Sequence, residues 1–298
     1  MTHTVSDRIS TIAPDRPVLI AGPTASGKSE LALRIAEAQG GVVINADAIQ
    51  VYSDWRVLTA RPSAEDEIRA PHALYGHVAG DVPYSVGDWL RDVEPLLSGN
   101  KRPIIIGGTG LYFTALTEGL AQIPATPDDI RTTAMQRIAS EGHSTLAEEL
   151  DAKTAARIDL ANPMRVQRAW EVLTNTGKGL ADWQDATDPP RLRLNEVTAL
   201  VINAEKHWLT PRIEARFDKM LETGAMEEAR ANRPTWSPNL PSAKAIGAAE
   251  LMGVIDGTMP LQAARDRSTI LTRQFAKRQR TWFRARMRDW QSVDASEL

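Results

Sequence analysis

The sequence predicts an α/β protein: a parallel sheet core, interrupted by a helical insertion and followed by a helical C-terminal part. Short apolar runs recur in the first and last parts of the chain, separated by helical segments, a pattern typical of a parallel sheet covered on both faces. Residues 119–190 contain no such runs and are rich in helix-forming residues. Beyond residue 203 the pattern is helical again.

Four apolar runs are the expected strands. The first ends at Ala21, just before Gly-Pro, and the third ends in two glycines. A helix over 29–38 should follow the first strand, because its leucines and isoleucine form an apolar face and Gly40-Gly41 ends it. The expected strands cover 17–21, 42–45, 102–108 and 197–203.

The helical patterns divide the chain into two expected domains. Residues 1–118 and 191–298 should form the α/β core with its C-terminal helices, and residues 119–190 the helical insertion. Within the insertion, Trp170 and Trp183 are expected to serve as core or interface residues. The expected helices are 128–141, 144–150, 153–159 and 163–176 in the insertion, and 209–231, 243–256 and 260–288 after it.

Composition excludes several classes of site. The 298 residues include no cysteine, so a disulfide framework, a thiolate metal site and a cysteine nucleophile are excluded. The five histidines do not follow metalloprotease spacing. The first ten residues are polar, and no apolar run reaches the ~20 residues that a membrane-spanning helix needs. We therefore expect a cytoplasmic protein with no membrane association.

A phosphate-binding loop follows the first expected strand. The segment matches GxxxxGK[ST] and lies between a strand and a helix, the context that makes this motif credible. Backbone N–H groups at a helix start bind anions, Lys28 adds a positive charge, and the Ser29 hydroxyl is suited to Mg²⁺. The motif is shared with ATP- and other nucleotide-binding proteins, and it predicts a P-loop NTPase-like core. Its residues are Gly22, Pro23, Thr24, Ala25, Ser26, Gly27, Lys28 and Ser29.

Two polar residues follow other expected strands at the same edge of the sheet. Asp47 comes after the second strand, where a carboxylate can accept a proton from a nucleophile or can cap a helix, and the sequence alone leaves both open. Thr109 comes after the third strand, where an ordinary helix cap is the simpler interpretation. That strand ends in glycine and not in the carboxylate that an ATPase or kinase would use.

A basic block lies near the C-terminus of a chain whose net charge is −3. Residues 267–288 carry eight Lys or Arg and no Asp or Glu, so the segment offers its cations no acidic partner of its own. A polyanion such as RNA is the expected partner, because a row of cations on one helix face matches a phosphate backbone. The row consists of Arg273, Lys277, Arg280, Arg284 and Arg288.

Seven segments, in chain order, resemble the tRNA dimethylallyltransferases, the isopentenyl-transferring (IPP transferase) family of tRNA modification enzymes. They span 22–284, nearly the whole chain, and the last one is specific in combination with the phosphate loop and GGTGLYF. The segments are GPTASGKS (22–29), NADAIQVY (45–52), GGTGLYF (107–113), NPMRVQRAWEV (162–172), RIEARFDKML (212–221), AIGAAE (245–250) and TRQFAKRQRTWFR (272–284).

The resemblance implies a reaction and its partners. The family transfers a dimethylallyl group from dimethylallyl diphosphate to N6 of the adenosine at position 37, next to the anticodon, in tRNAs that read U-initial codons. It implies Mg²⁺ and the donor diphosphate at the phosphate loop, the anticodon stem-loop at the insertion, and a monomer. Three positions, Ala48, Asn162 and Ala248, lie where this chain departs from the family pattern.

The resemblance also assigns residues. It implies that Asp47 is the general base and that Thr24, Lys28 and Arg212 act at the diphosphate. The implied tRNA-contacting positions are Asp47, Ala48, Ile49, Gln50, Thr109, Arg131, Met164, Arg165, Val166, Gln167 and Arg168, to which the basic row adds Arg273, Lys277, Arg280 and Arg284.

Three other functions share some of these features. An adenylate isopentenyltransferase acting on free AMP or ATP would have the same loop and Asp47, but has less need of a basic helix and an insertion. A P-loop small-molecule kinase would need a carboxylate that the third strand lacks. An RNA-binding protein with an inactive loop would have no chemical need for Lys28, Ser29 and Asp47 together.

Overall fold

The computed structural model describes residues 9–298. Residues 1–8, which are part of the polar N-terminal segment noted in the sequence, lie outside that range. Across residues 9–298, no helix combines the length and the apolar character needed to cross a bilayer. The chain divides into two compact units: one runs up to Thr117 and resumes at Arg191–Leu298, and the other is Glu118–Pro190.

A six-stranded sheet forms the centre of the first unit. Every neighbouring pair of strands is parallel, and the order is β3-β2-β4-β1-β5-β6. The four expected strands and the parallel α/β core are thereby confirmed. The strands are β1 (Val18–Ala21), β2 (Val42–Asn45), β3 (His72–Ala73), β4 (Pro103–Gly107), β5 (Thr198–Asn203) and β6 (Gln291–Asp294).

The two edge strands were not expected from the sequence. β3 has only two residues, which is too short for any periodicity. β6 reads Gln-Ser-Val-Asp, and only Val293 is buried, so it lacks the apolar run of a central strand. Both strands form because a neighbouring strand supplies hydrogen-bonding partners.

Four helices that the structure describes over their full length precede the second unit. The first and the last, α1 and α4, confirm the helices expected after the first and third strands, whereas α2 and α3 were not expected. A signal for these two is present in the sequence: Ser63 with Asp66, and Ser85 with Asp88, form capping boxes in which side chain and backbone bond reciprocally. The helices are α1 (Lys28–Gln39), α2 (Ala64–Arg69), α3 (Val86–Leu97) and α4 (Gly110–Glu118).

The second unit is entirely helical in its regular structure and has its own core. Leu146, Val166 and Trp170 pack together there with Ala134. Trp170 is buried and donates its indole N–H to Glu149, as expected for a core residue. Its helices are α5 (Asp128–Glu141), α6 (His143–Glu148), α7 (Ala152–Arg157), α8 (Pro163–Thr176) and α9 (Leu180–Asp185), of which α9 was not expected.

The C-terminal part contains four helices. The expected single helix over 209–231 is wrong, because Gly224 has φ +109° and separates two helices. The expected helix over 243–256 begins only at Ala248, after Gly247 with φ +99°. The helices are α10 (Lys206–Glu222), α11 (Ala225–Asn232), α12 (Ala248–Ile255) and α13 (Leu261–Arg286).

The carboxyl ends of β1, β2 and β4 meet at one edge of the sheet, which positions the candidate site. β4 approaches the segment after β2 so closely that a Cβ at Gly107 would lie 2.0 Å from the carbonyl oxygen of Ala46. The Ala46 N–H also bonds to the Ile106 carbonyl oxygen. Glycine at this position therefore allows the two chain segments to touch.

We expect Gly107→Ala to lower the free energy of unfolding by about 2 kcal/mol or more, because the added methyl group must push the Ala46 backbone aside. Gly99→Ala is the matched control, since its Cβ would meet nothing closer than 3.6 Å. Urea unfolding of both variants measures the difference. Equal stability of the two would contradict the proposed close approach.

Candidate active site

The phosphate loop connects β1 to α1 in a backbone geometry suited to anions. Ala25 has φ +61° and Gly27 has φ +91°, so left-handed residues alternate with others and direct successive N–H groups to one side. The positive φ of Ala25 is unusual for a residue with a side chain, and strain of this kind is typical of functional loops. α1 begins directly after Gly27 and adds the positive end of its dipole.

Lys28 lies over this loop. Its Nζ donates a hydrogen bond to the Pro23 carbonyl oxygen at 3.3 Å. Burial, and to a smaller extent the charge of Arg216, lower the pKa of Lys28 to about 8, although Asp47 opposes the shift. Lys28 thus lacks sufficient negative charge around it, and a bound anion would stabilise its protonated form.

Asp47 begins a tight turn after β2 and does not cap an α-helix. Its Oδ1 accepts the N–H of Ile49 at 2.9 Å, which leaves Oδ2 for other partners. Asn45 holds the turn from below: its side chain accepts the Asp47 N–H at 2.8 Å and donates to the carbonyl oxygens of Asp47 and Leu74 at 3.0 Å each. The Asp47 carboxylate is therefore fixed at the end of the strand.

Thr109 supports the same turn from the neighbouring strand. Its hydroxyl accepts the Ala48 N–H at 2.9 Å, and its own N–H donates to the Ala46 carbonyl oxygen at 3.2 Å. The hydroxyl thus serves the Asp47 turn rather than an ordinary helix cap. At Gly110 a Cβ would lie 2.0 Å from the indole nitrogen of Trp282, so this glycine lets α13 pack against the start of α4.

A cavity of about 340 Å³ opens beside these groups. It brings together six of the residues expected from the sequence: Thr24, Lys28, Ser29, Asp47, Ile49 and Gln50. The two strand ends and the phosphate loop thus face one space within a single compact unit.

The charged lining of the cavity is strongly basic. Lys28, Arg216, Lys244 and Arg278 line it, whereas Asp47 is the one carboxylate among its lining residues. Burial lowers the pKa of Arg216, and the charge of Asp47 opposes that shift. A cavity with this excess of positive charge is suited to a multiply charged anion.

Arg212 does not line the cavity, in contrast to its expected place near the diphosphate. It is exposed, and its guanidinium stacks on Trp208 at 3.5 Å from the ring centroid. Arg216, one helical turn later on α10, lines the cavity instead. In this structure Arg216, and not the expected Arg212, is therefore the arginine of α10 that lines the cavity.

Most of the rest of the cavity wall is apolar. Two large side chains, Phe217 and Phe275, belong to it together with aliphatic groups. The complete apolar set is Ile49, Leu58, Ala60, Ile106, Ile213, Phe217, Met220, Ala245, Ile246 and Phe275. The cavity therefore matches a ligand that joins a small hydrocarbon group to an anion: the apolar side chains suit the hydrocarbon, and the cations suit the anion.

Glu228 holds one side of this wall in place, and the sequence analysis missed it. Its carboxylate accepts the backbone N–H groups of Arg56, Val57 and Leu58, the start of the segment that lines the cavity. The contact joins positions more than 170 residues apart. No local motif signals such a contact, because only the tertiary fold brings α11 to this loop.

The basic face of α13 divides into paired and unpaired cations. Arg273 is 3.5 Å from Glu214, and Arg280 is 3.2 Å from Glu205, so these two pair with acids of other segments. Lys277 and Arg284 are exposed and have no acid within ion-pair distance among residues 9–298. Arg288 is also exposed and unpaired among these residues, but it lies beyond the end of α13 and not on its basic face, because the helix ends at Arg286 and not at the expected residue 288.

The predicted tRNA-contacting residues of the second unit differ in accessibility. Met164 is 72% exposed, and Arg131, Arg165 and Arg168 are also exposed. Gln167 is half-buried and donates to Glu171. Val166 is fully buried in the core of this unit, so its expected direct contact with RNA is not possible in this structure.

Comparisons with known proteins identify the family to which this chain is similar. The family model described as IPP transferase matches residues 50–286, and the model described as isopentenyl transferase matches residues 16–75. A protein of Ruegeria sp. (strain TM1040), named tRNA dimethylallyltransferase, is 62% identical over 96% of this chain and 98% of its own. A protein of the same name from Dinoroseobacter shibae is 59% identical over 96% and 97%.

Solved structures give the same result. The tRNA isopentenylpyrophosphate transferase of Bacillus halodurans is 29% identical with a TM-score of 0.66, covering 94% of this chain and 90% of its own. A eukaryotic dimethylallyltransferase acting on tRNA is 25% identical with a TM-score of 0.78, covering 94% and 73%. The P-loop NTPase-like core is thereby confirmed. With a family model that matches most of its length and relatives of 59% and 62% identity, this chain belongs to the IPP transferase family of tRNA dimethylallyltransferases.

Proposed function

We propose that this chain transfers the dimethylallyl group of dimethylallyl diphosphate to N6 of the adenosine at position 37, beside the anticodon, in tRNAs that read U-initial codons. The observation that carries the proposal is the single cavity that contains the phosphate loop, four cations, an apolar wall and the Asp47 carboxylate. The names of the relatives support tRNA as the acceptor.

Asp47 acts as the general base. The N6 lone pair of adenine is delocalised into the ring, so the amine is a weak nucleophile. As the bond from N6 to the allylic carbon forms, Asp47 accepts the N6 proton and orients the lone pair. Its Oδ1 is already bonded to Ile49, so Oδ2 is the atom available to the amine.

The cations of the cavity stabilise the leaving group. The allylic carbon–oxygen bond breaks, its electron pair stays on the diphosphate, and the allylic carbon gains cationic character. Lys28 and Arg216 face the developing charge together with the loop N–H groups, and Thr24 lines the same wall. The apolar wall accommodates the hydrocarbon and excludes water, which would otherwise attack the allylic carbon.

The residues present fit a magnesium ion carried by the donor. Among residues 9–298 there is no cluster of three acidic or histidine ligands, but Mg²⁺ on a diphosphate needs only one or two protein oxygens. The Ser29 hydroxyl lines the cavity next to Lys28 and is the residue that would hold it. When bound, Mg²⁺ would neutralise part of the diphosphate charge.

The target adenine must leave the anticodon stack to reach this cavity, because a stacked base cannot present N6 to Asp47. The exposed cations of α13 and those of the second unit, Arg131, Arg165 and Arg168, are proposed to hold the RNA backbone. The monomeric state and the cytoplasmic location stay predictions.

The alternatives are less well supported. A free-nucleotide prenyltransferase would not need the exposed cations of α13. For a kinase, β4 ends at Gly107 and offers no carboxylate at the edge of the sheet. The loop motif permits ATP binding, and we propose that ATP would only compete with the donor diphosphate for the loop.

The test of the function offers labelled dimethylallyl diphosphate and Mg²⁺ to the purified protein with three acceptors in parallel: an unmodified tRNA with A37, AMP and ATP. We expect label only in the tRNA, at A37.

For Asp47→Asn we expect turnover to fall by about 10²–10⁴-fold, because the base is lost while the bond to Ile49 can remain. The affinity for tRNA should stay unchanged, and unimpaired turnover would exclude Asp47 as the base.

A matched pair of arginines tests the anion site. We expect Arg216→Gln to raise the KM for the donor about 10- to 100-fold, because a cation of the cavity lining is lost. Arg212→Gln, one turn earlier and stacked outside on Trp208, should change it by less than about twofold. Steady-state kinetics with varied donor measure both, and the reverse order of effects would restore Arg212 as the diphosphate ligand.

The salt dependence of tRNA binding tests the basic face. For Lys277→Gln combined with Arg284→Gln, we expect weaker binding and a slope of log K against log salt that is smaller by about 1 to 2. Lys219→Gln with Arg230→Gln removes the same charge from cations that pair with acids on their own helices. If both double variants change the slope equally, the effect is one of net charge and not of this helix face.

A further inference from the structure

Gln279 is a buried polar residue on α13 that the proposed chemistry does not use. It is 5% exposed, and both halves of its amide are bonded to backbone groups. Its Oε1 accepts the Thr24 N–H at 2.9 Å, and its Nε2 donates to the Gly108 carbonyl oxygen at 3.0 Å. These partners are 255 and 171 residues away in sequence.

The two partners belong to the two halves of the site. Thr24 is part of the phosphate loop, which holds the donor. Gly108 precedes Thr109, whose hydroxyl supports the turn of Asp47. A Cβ built on Gly108 would lie 2.0 Å from Nε2 of Gln279 and 3.5 Å from Oδ2 of Asp47, so the amide and the base flank the same glycine.

We propose that Gln279 is a positioning residue for the transfer reaction, which fixes the distance between the bound donor diphosphate and the carboxylate that orients the acceptor amine. The inference rests on the proposed function. Its basis is geometric: displacement along the donor–acceptor line by about 1 Å can cost about 100-fold in rate. An amide that bonds to both halves opposes that displacement.

Packing alone does not require an amide at this position. The other buried neighbours on this part of α13 are Ala276 and Phe283, which are apolar. A methionine has nearly the same length as glutamine and no desolvation cost, so it would fill the space. Glutamine ends in an NH2 group that can donate to the Gly108 carbonyl oxygen and in a carbonyl oxygen that can accept the Thr24 N–H.

The experiment compares Gln279→Met and Gln279→Glu with the wild-type chain in the tRNA labelling assay. Gln274→Met and Gln274→Glu are the matched controls, because Gln274 is an exposed glutamine on the same helix. Each enzyme is assayed at about pH 6 and about pH 8, with saturating donor and tRNA for kcat and with varied donor for KM. Thermal unfolding in the same buffers measures the stability of each variant.

For Gln279→Met we expect kcat to fall about 10- to 100-fold at both pH values, while the donor KM changes by less than about threefold. For Gln279→Glu we expect a similar loss at the higher pH, because a carboxylate oxygen replaces the donor and faces the Gly108 carbonyl oxygen. At the lower pH the introduced carboxyl is protonated and can donate again, so most of the loss should be recovered.

The sign of this pH effect follows from the surroundings. Burial, the Gly108 carbonyl and the Asp47 carboxylate favour the neutral form of the introduced carboxyl, whereas the nearby cations oppose it. The donor function is present below the pKa of that carboxyl and is lost as the pH rises through it. Ratios to wild type at each pH remove the pH dependence that all the variants share. The charged groups lining the cavity are Lys28, Asp47, Arg216, Lys244 and Arg278.

Three results would overturn the inference: wild-type kcat in Gln279→Met, an increased donor KM with unchanged kcat, or a Gln279→Glu loss that does not depend on pH. If Gln279→Glu does not fold, the split between kcat and KM in Gln279→Met decides alone. If the wild-type chain labels no tRNA, the proposed function fails and the inference with it. If the wild-type chain labels tRNA and the Gln279 variants are unimpaired, the inference is rejected while the proposed function is kept.

Discussion

The contact between the ends of β2 and β4 is the constraint on which the site depends. Because Gly107 has no side chain, its backbone reaches Ala46, and the Asp47 turn can lie beside the Thr109 hydroxyl. The parallel sheet brings the phosphate loop to the same edge from β1, between β4 and β5. The phosphate loop and the Asp47 turn therefore lie at the same edge of the sheet, with the end of β4 between them.

The side chains that line the cavity carry more positive than negative charge. Burial lowers the pKa of both Lys28 and Arg216, the charge of Arg216 lowers that of Lys28 further, and Asp47 opposes both shifts only in part. In the free protein these cations cost stability, because burial disfavours a charged amine or guanidinium. Under the proposed function, a bound diphosphate would supply negative charge to these cations, and the same residues would then bind the donor and stabilise its leaving group.

Two polar side chains connect the site to the helices around it. Gln279 bonds from α13 to both the phosphate loop and the Gly108 segment, and Glu228 bonds from α11 to the loop that begins at Arg56. Each satisfies backbone groups that the sheet and helices leave unpaired. The helix that carries the exposed cations, α13, is therefore hydrogen-bonded directly to segments at the edge of the cavity.

The sequence by itself determined the local and ordered features: the four central strands, the phosphate loop, Asp47 at a strand end and the basic face of α13. These follow from short-range patterns, in which neighbours along the chain decide the conformation. Only the tertiary structure decided that Arg216 and not Arg212 faces the cavity, since residues four apart lie on the same face of a helix and differ only in height along it. Only the tertiary structure shows that Val166 is buried and that β3 and β6 form the edges of the sheet, because burial and edge pairing depend on partners that are distant in sequence.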